Sequence, residues 1–73
     1  MDASPIYIVE VVRRNRVVTV TKRTADYDIA ADNFSSKKRD PLLREVRMFK
    51  TSEEKGRVLL KYVDKSLRKQ VHL

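Results

Sequence analysis

Residues 6–22, with the sequence IYIVEVVRRNRVVTVTK, decide the fold. Two runs rich in Val, Ile, Thr and Tyr flank the polar segment RRNR. These residue types fit the pleated, half-buried surface of a sheet, so the stretch predicts an antiparallel β-hairpin. Asn15 suits a tight turn because Asn tolerates a positive φ angle. We therefore centre the predicted turn on Arg14 and Asn15.

The position of the turn determines which side chains share a face, because successive residues of a strand point to opposite sides. With Val12 opposite Val17, one face is almost entirely apolar and is the predicted core. It carries Tyr7, Val9, Val11, Val18 and Val20. The other face is mixed, as expected for a surface that is half hydrated or meets a partner. A shift of one residue in the pairing would exchange the two faces.

The chain is short for a protein that must bury a stable core. Its 73 residues predict a single domain, 1–73, with a flexible end at 1–4. Such a chain buries only about 60% of its unfolded surface. There is no Cys, and the one His is His72. This composition excludes disulfides and predicts no structural metal and no cofactor. Stability must come from good packing or self-association, so the sequence also allows a homodimer.

A short helix is predicted for residues 24–34, TADYDIAADNF. Thr24 can act as its N-cap, and two acids, Asp26 and Asp28, lie in its first turn, where they favour the positive end of the helix dipole. The same acids lack the Gly and the distal Glu of a calcium loop. The residues that follow, 35–40, are SSKKRD and are predicted to form a flexible basic loop.

Two interpretations fit residues 41–63. Asp40 and Pro41 match the N-cap and first position of a helix, which predicts a helix over 41–50. Thr51 with Glu54 matches a capping box, and an apolar stripe with Lys and Arg beside it predicts a long amphipathic C-terminal helix over 51–73. These two helices also allow a helix-turn-helix interpretation. The alternative makes 45–51 a third strand and 57–63 a fourth, joined through a turn at Gly56.

The preferred fold is a small α+β domain. An N-terminal antiparallel β-hairpin is packed by the C-terminal amphipathic helix, with one or two short helices, or a third strand, between them.

Charge indicates the class of partner. The chain carries 17 Lys and Arg against 10 Asp and Glu, for a formal charge of +7. Such a balance favours polyanions. The basic residues cluster at the hairpin tip, in the central loop and in the last helix, and some could converge on one surface. The predicted contacts are Arg13, Arg14, Arg16, Lys37, Lys38, Arg39, Lys65, Arg68 and Lys69.

Composition argues against an enzyme. There is no Gly-rich phosphate loop and no Ser/His/Asp set, and a short chain can hardly enclose a pocket for a small-molecule substrate. No apolar run approaches the ~20 residues of a membrane span, and no signal peptide is evident, so we expect a cytoplasmic protein without a membrane role.

We expect a non-enzymatic binding protein that regulates a nucleic-acid process such as transcription through phosphate contacts. The alternative is a phage-type regulator or inhibitor that binds an acidic surface of a host protein complex, such as RNA polymerase or defence machinery.

Overall fold

A computed structural model describes residues 5–53 and 56–65. These residues form one antiparallel sheet with a helix on one face. In chain order the elements are β1 (Ile6–Arg13), β2 (Val18–Thr24), α1 (Tyr27–Lys38), β3 (Leu43–Ser52) and β4 (Gly56–Asp64). The order of strands across the sheet is β2-β1-β3-β4. The face that α1 does not cover is called the open face below.

The predicted N-terminal hairpin is present, but its predicted register is wrong. Val12 pairs with Val18, one residue later than predicted. The cause is a longer turn, in which the Arg13 N–H donates to the Val17 carbonyl at 2.9 Å and the Arg16 N–H to the Arg13 carbonyl at 2.8 Å. Arg16 closes this turn with φ at 71°. A type I turn followed by a left-handed residue is a common hairpin connection.

This shift exchanges the faces of β2. Val18 and Val20, predicted to lie in the core, are 52% and 53% exposed on the open face. Thr21 instead lies on the helix side, where its hydroxyl donates to Asn33 Oδ1 at 2.8 Å. A β-bulge between Val9 and Glu10 changes the register again further along β1.

The predicted helix at 24–34 is present but starts and ends later than predicted. Asp26, not Thr24, is the N-cap, and its carboxylate accepts from the backbone N–H groups of Asp28 at 2.8 Å and Ile29 at 3.3 Å. Thr24 accepts from the Asp26 N–H. The helix continues through residues 35–38, which were predicted to be loop. Lysines at 37 and 38 favour this extension because they lie at the negative end of the helix dipole.

The preferred prediction for the second half of the chain is wrong. Residues 43–52 and 56–64, which the preferred prediction placed in helices, form β3 and β4, and the helix that packs on the hairpin is α1. The alternative with two further strands describes the observed elements. Asp40 caps a turn rather than a helix: its Oδ1 accepts from the Leu42 N–H at 2.9 Å. The stripe residues Leu67 and Val71 lie outside the described residues.

The position of β1 explains why two more strands form. Ile8 and Val12 on the open face and Val9 and Val11 on the helix face are all buried. A strand that is apolar on both faces belongs in the interior of a sheet and needs a neighbour on each side. β2 supplies one neighbour, and β3 supplies the other by pairing along the whole of β1.

The core lies between the sheet and α1. Its largest fully buried side chains are Met48, Val9, Val11 and Val46. Phe34, only 3% exposed, packs against them from α1. The helix lies over β1, β2 and β3. β4 lies beyond it and reaches the core mainly through Val63.

Candidate functional site: a basic end of the sheet

The topology brings four separate chain segments to one end of the sheet. β1 ends at Arg13, which pairs with Leu43 at the start of β3. β4 ends at Asp64, which pairs with Glu45. α1 starts after β2, runs back along the sheet and ends at Lys38. The β1–β2 turn, the end of α1, the α1–β3 loop and the end of β4 are therefore neighbours.

This end carries most of the cations that the sequence singled out. We call it the basic end and define it by the cationic residues Arg13, Arg14, Arg16, Lys37, Lys38, Arg39, Arg44 and Lys65. Seven of the nine predicted contacts belong to it. The other two, Arg68 and Lys69, lie outside the described residues. The convergence arises from strand pairing and not, as expected, from a helix packed across the hairpin.

Two cations bind the loop between α1 and β3. The Arg14 guanidinium donates through Nη2 to the Pro41 carbonyl at 3.2 Å. The Lys65 ammonium donates to the Asp40 carbonyl from the end of β4. These bonds connect the hairpin tip and β4 to the same short loop. Each cation keeps further donors, because a guanidinium has five N–H groups and an ammonium three.

Two open grooves lie at the basic end. One is lined by Lys38, Arg39 and Lys65, together with Pro41, Tyr62 and Val63. The other is lined by Arg16, Arg44 and Arg47, together with Val12, Val18 and Glu45. Each groove therefore combines three cations with apolar side chains. Such a wall can bind an anion with its charged groups while its apolar groups exclude water.

Arg44 is a basic-end residue that the sequence did not single out. It was assigned to the predicted helix at 41–50, where it had no special position. In the structure it lies at a register shift in the β1–β3 pairing, next to the hairpin turn. Its Nε is buried without a hydrogen-bond partner among the described residues. The isolated position of Arg44, away from any basic run, offered no signal in the sequence.

Carboxylates at this end have partners of their own. Glu45 accepts from Arg47 at 3.1 Å and from the Tyr62 hydroxyl at 3.0 Å, and Tyr62 also lies 3.3 Å from Asp64 Oδ2. Partial desolvation and the acceptor Glu45, with Asp64 beside it, raise the pKa of Tyr62. Tyr62 therefore remains a neutral donor at physiological pH. Because the Glu45 carboxylate already accepts from Arg47 and Tyr62, it neutralises only part of the positive charge of the neighbouring arginines.

The charges of the described residues are distributed unevenly along the strands, with more than half of the cations at the basic end. The acids at the start of α1, Asp26 and Asp28, lie at the end of the sheet away from the basic end, because α1 follows the last residue of β2. An uneven distribution of charge orients a small protein in the field of a charged partner. The basic end would therefore lead the approach to a polyanion.

A second ionic cluster lies on the open face and has a structural role. Glu10 Oε2 accepts from Arg57 Nη2 at 2.6 Å and Oε1 lies 3.9 Å from Arg47. The Arg57 guanidinium also lies over the Phe49 ring, 4.0 Å from its centroid. These contacts connect β4 to β1 across β3. They cover part of the open face and leave Arg57 less available to a ligand than the basic-end cations.

Comparison with known proteins gives no relative. No protein-family model, no curated protein and no solved structure matches the chain. Within residues 5–53 and 56–65, no helix is long and apolar enough to cross a membrane. In the same residues, no three His, Cys, Asp or Glu side chains are grouped so that they could hold a metal ion.

Proposed function

We propose that the protein binds nucleic acid through its basic end, without catalysing a reaction, and so regulates a nucleic-acid process such as transcription. The observation that carries the proposal is the convergence of cations from four chain segments at one end of the sheet. Residues that are far apart in the sequence form one positive surface. We also propose that it acts in the cytoplasm.

The basic-end side chains are available for phosphate binding. Arg13, Arg14, Arg16 and Arg39 are exposed, as is Lys38. Among the described residues, none of them lies in an ion pair with a carboxylate. Duplex DNA carries about one negative charge per 1.7 Å of its axis, so a surface with several cations can contact phosphates on both sides of a groove. Arginine adds bidentate geometry to its charge.

Contacts of this kind fix position rather than sequence. The last helix of the helix-turn-helix interpretation, which would have entered the major groove, is replaced by β4 over residues 56–64. Among the residues that the structure describes, Asn15 at the hairpin tip is the only amide side chain near the basic end, and its Oδ1 already accepts from the Val17 N–H at 3.1 Å. Binding is therefore expected to depend on phosphates and only weakly on base sequence.

The experiment is a titration of random duplex DNA with the purified protein at two salt concentrations, about 50 and 200 mM. A protein that makes six or more phosphate contacts loses on the order of 10³-fold in affinity over this range. We expect a steep loss of that kind. Failure to bind DNA at the lower concentration, despite the charge of +7, would refute the proposal.

A second candidate is the binding of an acidic protein surface, as a phage-type regulator or inhibitor of RNA polymerase or defence machinery would do. It is supported by Val18 and Val20, which are about half exposed on the open face, Val18 lining the groove with Arg16 and Arg44. Exposed apolar groups beside arginines are typical of protein interfaces rather than phosphate sites. This candidate predicts no DNA binding and a one-to-one complex with an acidic protein.

A further inference from the structure

β4 forms an open edge of the sheet. It pairs with β3 on one side, and no other strand among the described residues pairs with its second side. α1 lies mainly over the other three strands, and the residues of β4 from Gly56 to Tyr62 are all exposed. An exposed edge strand offers unpaired backbone groups to another chain.

The side chains of this edge are apolar. Val58, Leu59, Leu60 and Tyr62 are 40%, 51%, 39% and 46% exposed. Edge strands that remain unpaired usually carry several charges or a Pro to prevent association. In the middle of β4 there is only one charged residue, Lys61, and its ammonium lies over the Phe34 ring, 5.8 Å from the centroid. The edge therefore lacks the usual protection against pairing.

A β-bulge gives β4 an unusual symmetry. Met48 pairs with Lys61 and Phe49 pairs with Leu59, so Leu60 is an extra residue in the strand. Side chains on either side of the bulge alternate between the open face and the helix face. The two bulge residues that oppose Met48, Leu60 and Lys61, share the helix face, so the faces follow the same order outward from this pair, to Arg57 on one side and to Asp64 on the other.

This symmetry suits pairing with an identical strand. A two-fold axis between Leu60 and Lys61, perpendicular to the sheet, keeps each residue and its opposite on the same face. In a regular strand, a two-fold axis between two adjacent residues would pair residues whose side chains point to opposite faces of the sheet. The resulting pairs join Arg57 with Asp64, Val58 with Val63, Leu59 with Tyr62, and Leu60 with Lys61. The outermost pair joins opposite charges, the next two pairs join apolar or aromatic side chains, and Leu60 meets Lys61 at the centre.

We infer that the protein forms a two-fold symmetric dimer in which β4 pairs antiparallel with β4 of a second copy. The two sheets become one continuous sheet, with both helices on the same side. Antiparallel pairing places the two basic ends at opposite ends of the dimer, so the most positive surfaces stay apart. The interface is closed, because the same edge is used by both copies. The inference does not depend on nucleic-acid binding.

The test is sedimentation velocity over a concentration series from about 1 μM to 1 mM, a range that covers weak and moderate dimers. Two variants at the same exposed position distinguish pairing in the proposed register from non-specific association of apolar surfaces. Leu60→Lys places a positive charge opposite Lys61 of the second copy, whereas Leu60→Glu places a negative charge there. Both remove the same apolar side chain, so a loss of apolar area affects them equally.

We expect the wild type to dimerise with increasing concentration. The dimer dissociation constant of Leu60→Lys should exceed that of Leu60→Glu by roughly tenfold or more, because the symmetry repeats each charge pair twice. The double variant L60K/K61E should restore the dimer. Circular dichroism identifies any variant that fails to fold, and the comparison is then made with Leu60→Arg or Leu60→Asp, which place the same charges opposite Lys61.

A wild type that stays monomeric at 1 mM would overturn the inference and leave the edge to a strand of another protein. Equal dissociation constants for the Lys and Glu variants would also overturn it, because the proposed register requires them to differ.

Discussion

Replacing Gly56 by Ala should lower the free energy of unfolding by a small but measurable amount. Gly56 opens β4 with φ at 66°, in the left-handed region that side chains disfavour. A Cβ built at this position meets no atom within 4 Å, so there is no steric contribution from neighbours. The left-handed backbone costs about 1–2 kcal/mol with a side chain. The lower entropy of the unfolded chain with Ala returns about 0.4–1 kcal/mol.

The expected loss is therefore about 1 kcal/mol in the free energy of unfolding, which corresponds to a fall in Tm of about 4–8 °C for a chain of this size. Thermal and urea denaturation followed by circular dichroism would measure it. Gly56→Asn is the matched control and should lose less, because Asn tolerates this conformation. A loss above about 3 kcal/mol would mean that the site is crowded, and a clear gain in stability would mean that the backbone is not left-handed. Either result would refute the reasoning.

Three further predictions concern the core and the open face. Phe34→Ala should cost about 3–5 kcal/mol, a large part of the stability of so small a domain, and Phe34→Leu much less; urea denaturation measures both. Because the pKa of Tyr62 is raised when folded, the stabilisation it reflects is present below the unfolded pKa, near 10, and is lost as the pH rises through the folded value. Tyr62→Phe should remove this dependence, seen in urea denaturation at several alkaline pH values. Glu10→Gln weakens the ion pair with Arg57 and should cost on the order of 1 kcal/mol in thermal denaturation, with less effect at high salt.

Local patterns predicted the first half of the fold better than its register. The β-rich runs and the acids at 26 and 28 correctly indicated a hairpin followed by a helix. The length of the turn was not visible, because Arg16 adopts a positive φ that its residue type does not favour. One residue of difference then exposed Val18 and Val20. A single unusual backbone angle therefore outweighed a consistent apolar alternation.

The prediction for the second half of the chain was wrong because the spacing of its apolar residues fits both a helix and a strand. Leu59, Leu60 and Val63 recur at helical spacing, but the same segment alternates as a bulged strand. In a helix, Glu53 and Arg57 would form an i,i+4 ion pair, whereas Arg57 binds Glu10, far away in the sequence. The decisive factor was non-local, since β1 is apolar on both faces and requires a second neighbour. Such pairing depends on segments that sequence periodicity treats separately.

The candidate site was predictable as a set of residues but not as a surface. Basic runs at 13–16 and 37–39 stand out in the sequence, whereas the isolated Arg44 does not. Their proximity depends on antiparallel topology, which places the end of β4 and the end of α1 beside the first turn.

The central claim is that the basic end, rather than net charge alone, binds the polyanion. Its most direct test compares the salt dependence of DNA binding for two doubly substituted proteins that lose equal charge. R16Q/R39Q removes two exposed cations from the basic end, and R23Q/K50Q removes two exposed cations from the half of the sheet near the other end, where they pair with Ile8 and Tyr7.

Each lost phosphate contact lowers the slope of log affinity against log salt by about 0.9. We predict a reduction of up to about 1.8 for R16Q/R39Q and almost none for R23Q/K50Q. Equal reductions in the two variants, or a reduction only in R23Q/K50Q, would contradict the assignment of the basic end.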